Sequence, residues 1–113
     1  MKTGDMGEEF AAKYLEKNGY KIVDRNFKCR FGEIDIIAVK DGYIVFAEVK
    51  TRAKNALVSG EESVDYFKQR RLISAAKYYL KISQTLLQPR FDVIVVEHSD
   101  NILTITNHIE NAF

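Results

Sequence analysis

The dipeptide Asp41-Gly42, set between two runs of apolar residues, is the feature that most constrains the fold of this chain. Aspartate followed by glycine is typical of a two-residue turn between antiparallel strands, because both residues tolerate positive φ. The runs on either side, IDIIAV and YIVFAEV, have the length and the β-branched content of strands. The sequence therefore predicts a β-hairpin whose register can be counted outward from the turn.

Counting outward from a two-residue turn brings four charged residues to one end of the hairpin. Asp35 then lies opposite Glu48, and Glu33 lies opposite Lys50. A four-residue loop preserves this register, whereas a three-residue loop would shift it by one position. Opposed residues share a face of the sheet with Cβ atoms roughly 5 Å apart, and like charges at that separation repel one another. Two partly buried carboxylates in that arrangement would hold a proton or bind a cation.

The residue types at this end of the hairpin favour a site for a divalent cation. Asp35 and Glu48 could both ligate one ion, because magnesium takes oxygen ligands at about 2 Å. Lys50 stands two residues beyond Glu48 on the same face, where its ammonium could contact a substrate phosphate or a nucleophilic water. The competing interpretation is a structural ion network in which Lys50 neutralises Glu33 and Glu48.

A first helix is predicted over residues 5–19. Asp5 is the expected N-cap, apolar residues recur at helical spacing, and Gly19 stands where a helix commonly ends. Glu8 lies at the edge of the apolar stripe, whereas Glu9 points nearly opposite, toward water. The two neighbouring glutamates are therefore not equivalent.

The remaining segments predict a second helix and three further strands. The helix is predicted over residues 62–82, and Lys68 falls within its apolar stripe, where a long side chain can snorkel to water. Residues 51–60 have no clear periodicity and are expected to form a loop. The order helix, strands, helix, strands predicts a single α/β domain over residues 1–113, with one mixed sheet and helices packed against it. The three strands are expected over residues 20–31, 90–98 and 102–106.

Composition limits the classes of protein that fit. The 113 residues carry 17 basic and 16 acidic side chains, a net charge of +1, which is low for a protein that coats nucleic acid nonspecifically. Cys29 is the sole cysteine, so no intrachain disulfide can form. His98 and His108 are isolated in the sequence, and no zinc site is predicted. No apolar run reaches membrane-spanning length, which favours a cytoplasmic protein without a membrane partner.

The motifs GEIDIIA and VFAEVKTR closely resemble a widespread family of small bacterial proteins that is grouped with the PD-(D/E)XK nucleases, such as archaeal Holliday-junction resolvases. The similarity extends to GEEFAAKYLEKNGY, RNF, the second helix and RFDVIVV, and so covers most of the chain. It implies a restriction-endonuclease-like core, with a mixed four- to five-stranded sheet flanked by helices. By position, Asp35 would be the aspartate of the motif, and Glu48 and Lys50 its Glu-x-Lys. Ile34 stands where the motif has proline.

The resemblance also implies a metal-dependent endonuclease that uses Mg²⁺ or Mn²⁺ to hydrolyse DNA, including branched or structured DNA. Glu8 would match the glutamate of the first helix, and the main-chain carbonyl of Val49 would be a further metal ligand beside Asp35 and Glu48. Related junction-cleaving enzymes work as dimers, so a homodimer is expected. Four residues are candidates for contact with the phosphate backbone: Thr51, Arg52, Lys54 and Lys68.

Two other interpretations remain open at this point. The chain could be a nucleic-acid-binding module that keeps the nuclease fold but has little or no catalytic activity. It could also be a protein–protein adaptor in which the charges form an ion network. Residues 53–60 could become ordered on binding. Four tyrosines could stack on nucleic-acid bases, although aromatic residues at this spacing usually belong to a core: Tyr43, Tyr66, Tyr78 and Tyr79.

Overall fold

The computed structural model describes residues 3–54 and 66–113, which form two helices and five strands. In chain order these are helix α1 (Thr3–Lys17), strands β1 (Lys21–Cys29), β2 (Gly32–Lys40) and β3 (Tyr43–Ala53), helix α2 (Tyr66–Ser83), and strands β4 (Gln88–Ser99) and β5 (Ile102–Ile109). Neither of the described helices is long and apolar enough to cross a membrane.

The strands form one mixed sheet in the order β1-β2-β3-β4-β5. Neighbouring strands are antiparallel except for β3 and β4, which are parallel. A parallel pair needs a long crossover connection, and the segment between these two strands contains α2. The prediction of a mixed α/β fold is confirmed, and a five-stranded mixed sheet flanked by two helices is consistent with a nuclease-like core.

The two helices cover opposite faces of the sheet, as successive residues of the central strand β3 indicate. Val45 and Ala47 belong to a buried cluster that includes Leu15 of α1. Phe46 lies between them in sequence and belongs to a second buried cluster that includes Leu72 of α2. Strand β3 is therefore buried on both faces, and a charged side chain further along it is costly unless it is paired.

The predicted hairpin register is confirmed around the turn. Strands β2 and β3 pair directly on either side of Asp41-Gly42. Both turn residues have positive φ, 51° and 84°, which is the backbone of a type I′ turn. The paired register ends at Ile36 and Ala47, so the predicted carboxylate pair lies just beyond the last paired residues.

Helix α1 ends where predicted but begins earlier. Gly19 has a φ of 87°, and its N–H and that of Tyr20 donate back to carbonyls of the last helical turn. These two bonds form a Schellman motif, which favours glycine at this position. The helix begins at Thr3, so the prediction of Asp5 as its N-cap is wrong. Asp5 lies in the first turn, where an acidic residue still suits the helix dipole.

Strand β3 is longer than predicted. Thr51 and Arg52 belong to this strand and not to the predicted loop, because they pair with the parallel strand β4. Residues 55–65, which hold most of that loop and the start of the predicted second helix, lie outside the described residues.

Candidate active site

A cavity of about 450 Å³ lies at the end of the hairpin where the charged residues were predicted. Its walls carry Glu8 of α1, Glu33 and Asp35 of β2, and Glu48 of β3. Val49 lines the same cavity, and helix α2 supplies the remaining wall. Four carboxylates from three separate elements therefore share one concave surface.

Asp35 and Glu48 are close enough to share a hydrogen bond between their carboxyl groups. Burial and, next, the charge of Glu48 raise the pKa of Asp35 to about 8. Asp35 Oδ2 also accepts a hydrogen bond from the Val49 N–H at 2.9 Å. The raised pKa favours a proton shared by the pair at neutral pH, in the place where a cation could instead lie between the two groups.

Two lysines converge on the other side of Glu48, which is only 4% exposed. Lys50 Nζ lies 3.4 Å and Lys68 Nζ 2.5 Å from the same oxygen, Glu48 Oε1. Burial and the neighbouring Lys68 lower the pKa of Lys50. Burial would lower the pKa of Lys68 too, but its hydrogen bonds to Glu48 and Lys50 and the charges of Glu48 and Asp35 together outweigh burial and raise it. The two ammonium groups thus have different tendencies to release a proton.

Glu8 faces the carboxylate cluster from α1. Burial raises its pKa; the Arg25 charge opposes this rise, whereas nearby carboxylates, Glu48 among them, add to it. Glu9 points elsewhere and accepts a hydrogen bond from Arg25 Nη1 at 2.7 Å. The predicted difference between the two glutamates is thus present, with Arg25 as the partner of the outer one.

A glycine allows α1 to approach this end of the sheet. A Cβ atom on Gly7 would collide with the hydroxyl oxygen of Thr51 and would lie 3.2 Å from its Cβ and Cγ2. The absence of a side chain at Gly7 therefore sets the distance between α1 and β3. Because Glu8 is the next residue, the same contact determines where its carboxylate lies.

The pairing of Glu33 with Lys50 stays a prediction, because the recorded β2–β3 register ends at Ile36 and Ala47; the described ion pairs of the two residues are with other partners. Glu33 pairs in register with Lys28 of β1, on the other side of β2. Lys28 Nζ lies 4.0 Å from Glu33 Oε2, and both side chains are more than half exposed, so this ion pair contributes little to stability. Glu33 lines the cavity. Among the described ion pairs, the carboxylate that Lys50 contacts is that of Glu48.

The four candidates for phosphate contact are not brought together. Thr51 lies beneath α1, and Arg52 Nη2 lies 3.5 Å from Glu97 Oε2 on β4. Lys54 is exposed just beyond the end of β3. Of the four, Lys68 is the one that lines the cavity.

Two residues of α2 that sequence reasoning missed also line the cavity, Phe67 and Arg71. Phe67 is 75% exposed and stands next to the carboxylates. Arg71 follows Lys68 by three residues, so helical periodicity alone places both cations on the same face. That periodicity is the signal from which Arg71 could have been predicted.

A second charged cluster lies between α1, β4 and β5. Asp92, His108 and Glu110 have potential ligand atoms within 4.8 Å of one another, the arrangement of a metal-ligand cluster. The isolation of His108 in the sequence concealed this arrangement. The guanidinium of Arg90 already lies against it, however, 2.8 Å from Asp92 Oδ2 and 3.5 Å from Glu110 Oε1. His108 uses both ring nitrogens, toward Asp92 at 2.8 Å and toward the Tyr14 hydroxyl at 2.9 Å.

Together the fold and the cavity define a small mixed α/β protein with a nuclease-like core and a buried carboxylate–lysine site at the end of its central strands. Residues 7–96 match the model of the Uncharacterised protein family UPF0102. The chain belongs to this family.

Curated relatives match over nearly the whole chain. A UPF0102 protein of Caldanaerobacter subterraneus is 47% identical over 98% of this chain and 93% of its own length. One from Clostridium perfringens is also 47% identical, over 97% of this chain and 92% of its own length. One from Persephonella marina is 44% identical over 97% of this chain and 91% of its own length.

Proposed function

We propose that this protein is a metal-dependent endonuclease that hydrolyses phosphodiester bonds in DNA, including branched or structured DNA, and that it acts in the cytoplasm. The observation that carries the proposal is the Asp35–Glu48 pair, a half-buried and a buried carboxyl group within hydrogen-bond reach of each other in an open cavity. Like charges held this close are destabilising unless a proton or a cation lies between them.

The residues of the cavity fit a hard divalent cation. Its carboxylates offer oxygen donors, which Mg²⁺ and Mn²⁺ prefer. In this proposal Asp35 and Glu48 hold the ion, and the Val49 carbonyl is a further ligand. Such an ion, when bound, polarises the scissile phosphate and lowers the pKa of water. The Asp92 cluster fits less well, because Arg90 already compensates its negative charge.

The lysines and Glu8 have separate roles in this proposal. Lys50, with its lowered pKa, orients the attacking water or stabilises negative charge on the phosphate as it reacts. Lys68 holds Glu48 in place and contacts the substrate phosphate, with Arg71 one turn further along α2. Glu8 accepts a hydrogen bond from water in the cavity. Thr51, Arg52 and Lys54 are secondary contacts to the DNA backbone.

A specific observation favours the alternative of a nucleic-acid-binding module without turnover. Both lysines pair with one oxygen of Glu48, which neutralises a carboxylate that a metal would need. If substrate phosphate does not draw these lysines away, the site stays closed to metal.

A cleavage panel separates the two functions. The purified protein is incubated with nicked, forked, cruciform and linear DNA, with and without Mg²⁺ or Mn²⁺. A nuclease cleaves only with metal, and Asp35→Asn or Glu48→Gln abolishes cleavage, whereas Glu16→Gln on the exposed end of α1 does not. Binding without metal-dependent cleavage, unchanged in Glu48→Gln, would instead establish the binding module.

Symmetric cleavage of a branched substrate requires two active sites, so we further propose that the protein acts as a homodimer. Sedimentation of the protein with and without a cruciform substrate tests this point. A species that stays monomeric on the cruciform would contradict it.

A further inference from the structure

The surface formed by α2 and the β1–β2 turn carries basic and aromatic residues directly beside the carboxylate cavity. Two adjoining grooves of about 400 and 560 Å³ lie on it, and Arg30 and Tyr78 line both. We call this surface the basic–aromatic face. No carboxylate of the described chain lines the grooves. Four cationic side chains do: Lys28, Arg30, Lys77 and Lys81.

The aromatic rings of this face are open to solvent. Phe31 and Tyr78 are each 39% exposed, and their ring centroids lie 5.7 Å apart. Phe27 also stacks on Tyr78, with ring centroids 6.4 Å apart, and the guanidinium of Arg30 lies 4.8 Å from the Phe31 centroid. Tyr79, by contrast, packs inward on the core. Of these two neighbouring tyrosines, only Tyr78 presents its ring outward.

The basic–aromatic face continues into the carboxylate cavity. Phe31 lines a groove and Glu33 lines the cavity, with only Gly32 between them. A Cβ atom on Gly32 would lie 2.8 Å from the backbone oxygen of Arg71, so glycine allows α2 to lie directly on this turn. Along α2, cavity and groove residues follow one another at helical spacing over about 15 Å, from Arg71 to Lys81.

We propose that the basic–aromatic face binds an unpaired, single-stranded segment of the substrate and leads its backbone to the carboxylate cavity. Bases inside a duplex are stacked on one another, so exposed rings can stack only on unpaired bases. The lysines and Arg30 would neutralise the phosphates of that segment. The carboxylates of an acidic peptide would pair with the cations but would not stack on the open rings. The inference rests on the proposed function and narrows its substrate to nucleic acid with a single-stranded tail, flap or fork.

Fluorescence anisotropy tests this inference without catalysis. Labelled oligodeoxynucleotides, either single-stranded, tailed or fully duplex, are titrated with the Glu48→Gln protein in EDTA. We expect the single-stranded and tailed DNA to bind more tightly than the blunt duplex. Tyr78→Ala and Phe31→Ala should each weaken tailed-DNA binding about tenfold, the usual effect of losing one base-stacking ring, and leave duplex binding unchanged. A single-stranded oligoribonucleotide then distinguishes RNA from DNA.

Matched variants separate stacking from loss of structure. Tyr78→Phe keeps the ring and should bind as the parent does. Tyr43→Ala removes a ring of similar exposure, 38%, at the opposite end of β3, and should also leave binding unchanged. Lys77→Glu with Lys81→Glu changes only exposed groups and should weaken binding and reduce its salt dependence.

The outcomes distinguish this inference from the proposed function. Equal affinity for tailed and blunt DNA, or equal losses for Tyr78→Ala and Tyr43→Ala, would overturn the basic–aromatic face as a strand-binding surface. The native protein, which keeps Glu48, could still show metal-dependent cleavage in that case. Ring-dependent binding of tailed DNA with no cleavage by any variant would support the face and overturn the nuclease.

Discussion

At the scale of single residues, the raised pKa of Asp35 favours a proton shared with Glu48, and a cation could take the place of that proton. Glu48 has Lys50 and Lys68 as counter-charges, whereas Asp35 has the N–H of Val49 as its described donor. Asp35, which has no described ion pair, is the member whose pKa is raised. Removal of the shared proton without a replacement charge leaves a half-buried and a buried carboxylate in contact.

This arrangement predicts that stability falls as pH rises. Because the pKa of Asp35 is 3.8 in an unfolded chain and about 8 in the folded one, the folded protein binds the extra proton between these values. The free energy of unfolding should therefore decrease across that window in metal-free buffer, by more than about 1.4 kcal/mol, the equivalent of one pKa unit. Urea denaturation at a series of pH values measures the effect.

The Asp35→Asn variant provides the control, because asparagine cannot ionise. Its free energy of unfolding should lack this decrease and should exceed that of the native protein at the alkaline end. Parallel pH profiles for the two proteins would contradict a shared proton at this pair.

Much of this residue-level site could be predicted, and the part that could not comes from distant elements. Counting from Asp41-Gly42 was sufficient to place Asp35 beside Glu48. Lys68 was expected only to snorkel or to contact phosphate, because no local pattern relates a position on α2 to one on β3. Its ion pair with Glu48 depends on how the helix packs.

At the scale of elements, two glycines seat the helices that complete the cavity. Gly7 allows α1 to approach Thr51, and Gly32 allows the backbone of α2 to approach the β1–β2 turn at Arg71. Each contact is between a helix and the sheet at the same end of the fold as the carboxylates. The positions of Glu8 and the cationic side chains of α2 therefore depend on residues that take no part in chemistry.

Gly7→Ala tests this role, because we expect its effect on the free energy of unfolding to be opposite to the usual one. Alanine in place of a helical glycine normally stabilises by about 1 kcal/mol, but here its Cβ would collide with Thr51. We expect instead a destabilisation of about 1–3 kcal/mol, typical of overpacking, together with a loss of cleavage. Thermal and urea unfolding, with cleavage assays, measure both effects.

Thr51→Ala in the Gly7→Ala background removes the hydroxyl and methyl groups that collide and should restore part of both losses. A Gly7→Ala protein that is more stable than the parent and fully active would show that this close approach has no role.

Element boundaries were predictable where local chemistry decides them. The end of α1 at Gly19 follows from a backbone conformation that glycine favours, and the sequence is enough to locate it. The end of β3 depends on parallel pairing with a strand far along the chain, so Thr51 and Arg52 were wrongly assigned to a loop.

At the scale of the whole molecule, two charged clusters lie on opposite faces of the sheet. Asp92 pairs in register with Ala47, whose side chain packs on the α1 side, and His108 bonds to Tyr14 of α1. Glu48 instead bonds to Lys68 of α2. Burial would raise the pKa of Asp92, but hydrogen bonds from His108 and Arg90 lower it. We interpret the Asp92 cluster as a stabilising ion network and the Glu48 cluster as the reactive site.

Asp92→Asn tests this division of roles. It weakens the ion pair between the fully buried Asp92 and the largely buried Arg90 and should reduce the free energy of unfolding by about 3 kcal/mol. Mn²⁺ affinity, measured by calorimetry below the unfolding temperature, should remain that of the parent. A loss of the Mn²⁺ site in this variant with the fold intact would identify the Asp92 cluster as the metal centre.

The Asp92 cluster could not have been predicted by counting along the last hairpin. A register shift between Val95 and Val96 displaces β5 by one residue relative to β4, which brings His108 and Glu110 to Asp92. No glycine in the sequence marks this irregularity.

The most direct test of the account is to locate Mn²⁺ by anomalous scattering in crystals soaked with the ion above pH 8, where Asp35 is ionised. The account predicts one peak in the carboxylate cavity, about 2 Å from oxygens of both Asp35 and Glu48. A peak at Asp92, His108 and Glu110 with none at Asp35 and Glu48, or carboxylates that turn apart without binding the ion, would contradict it.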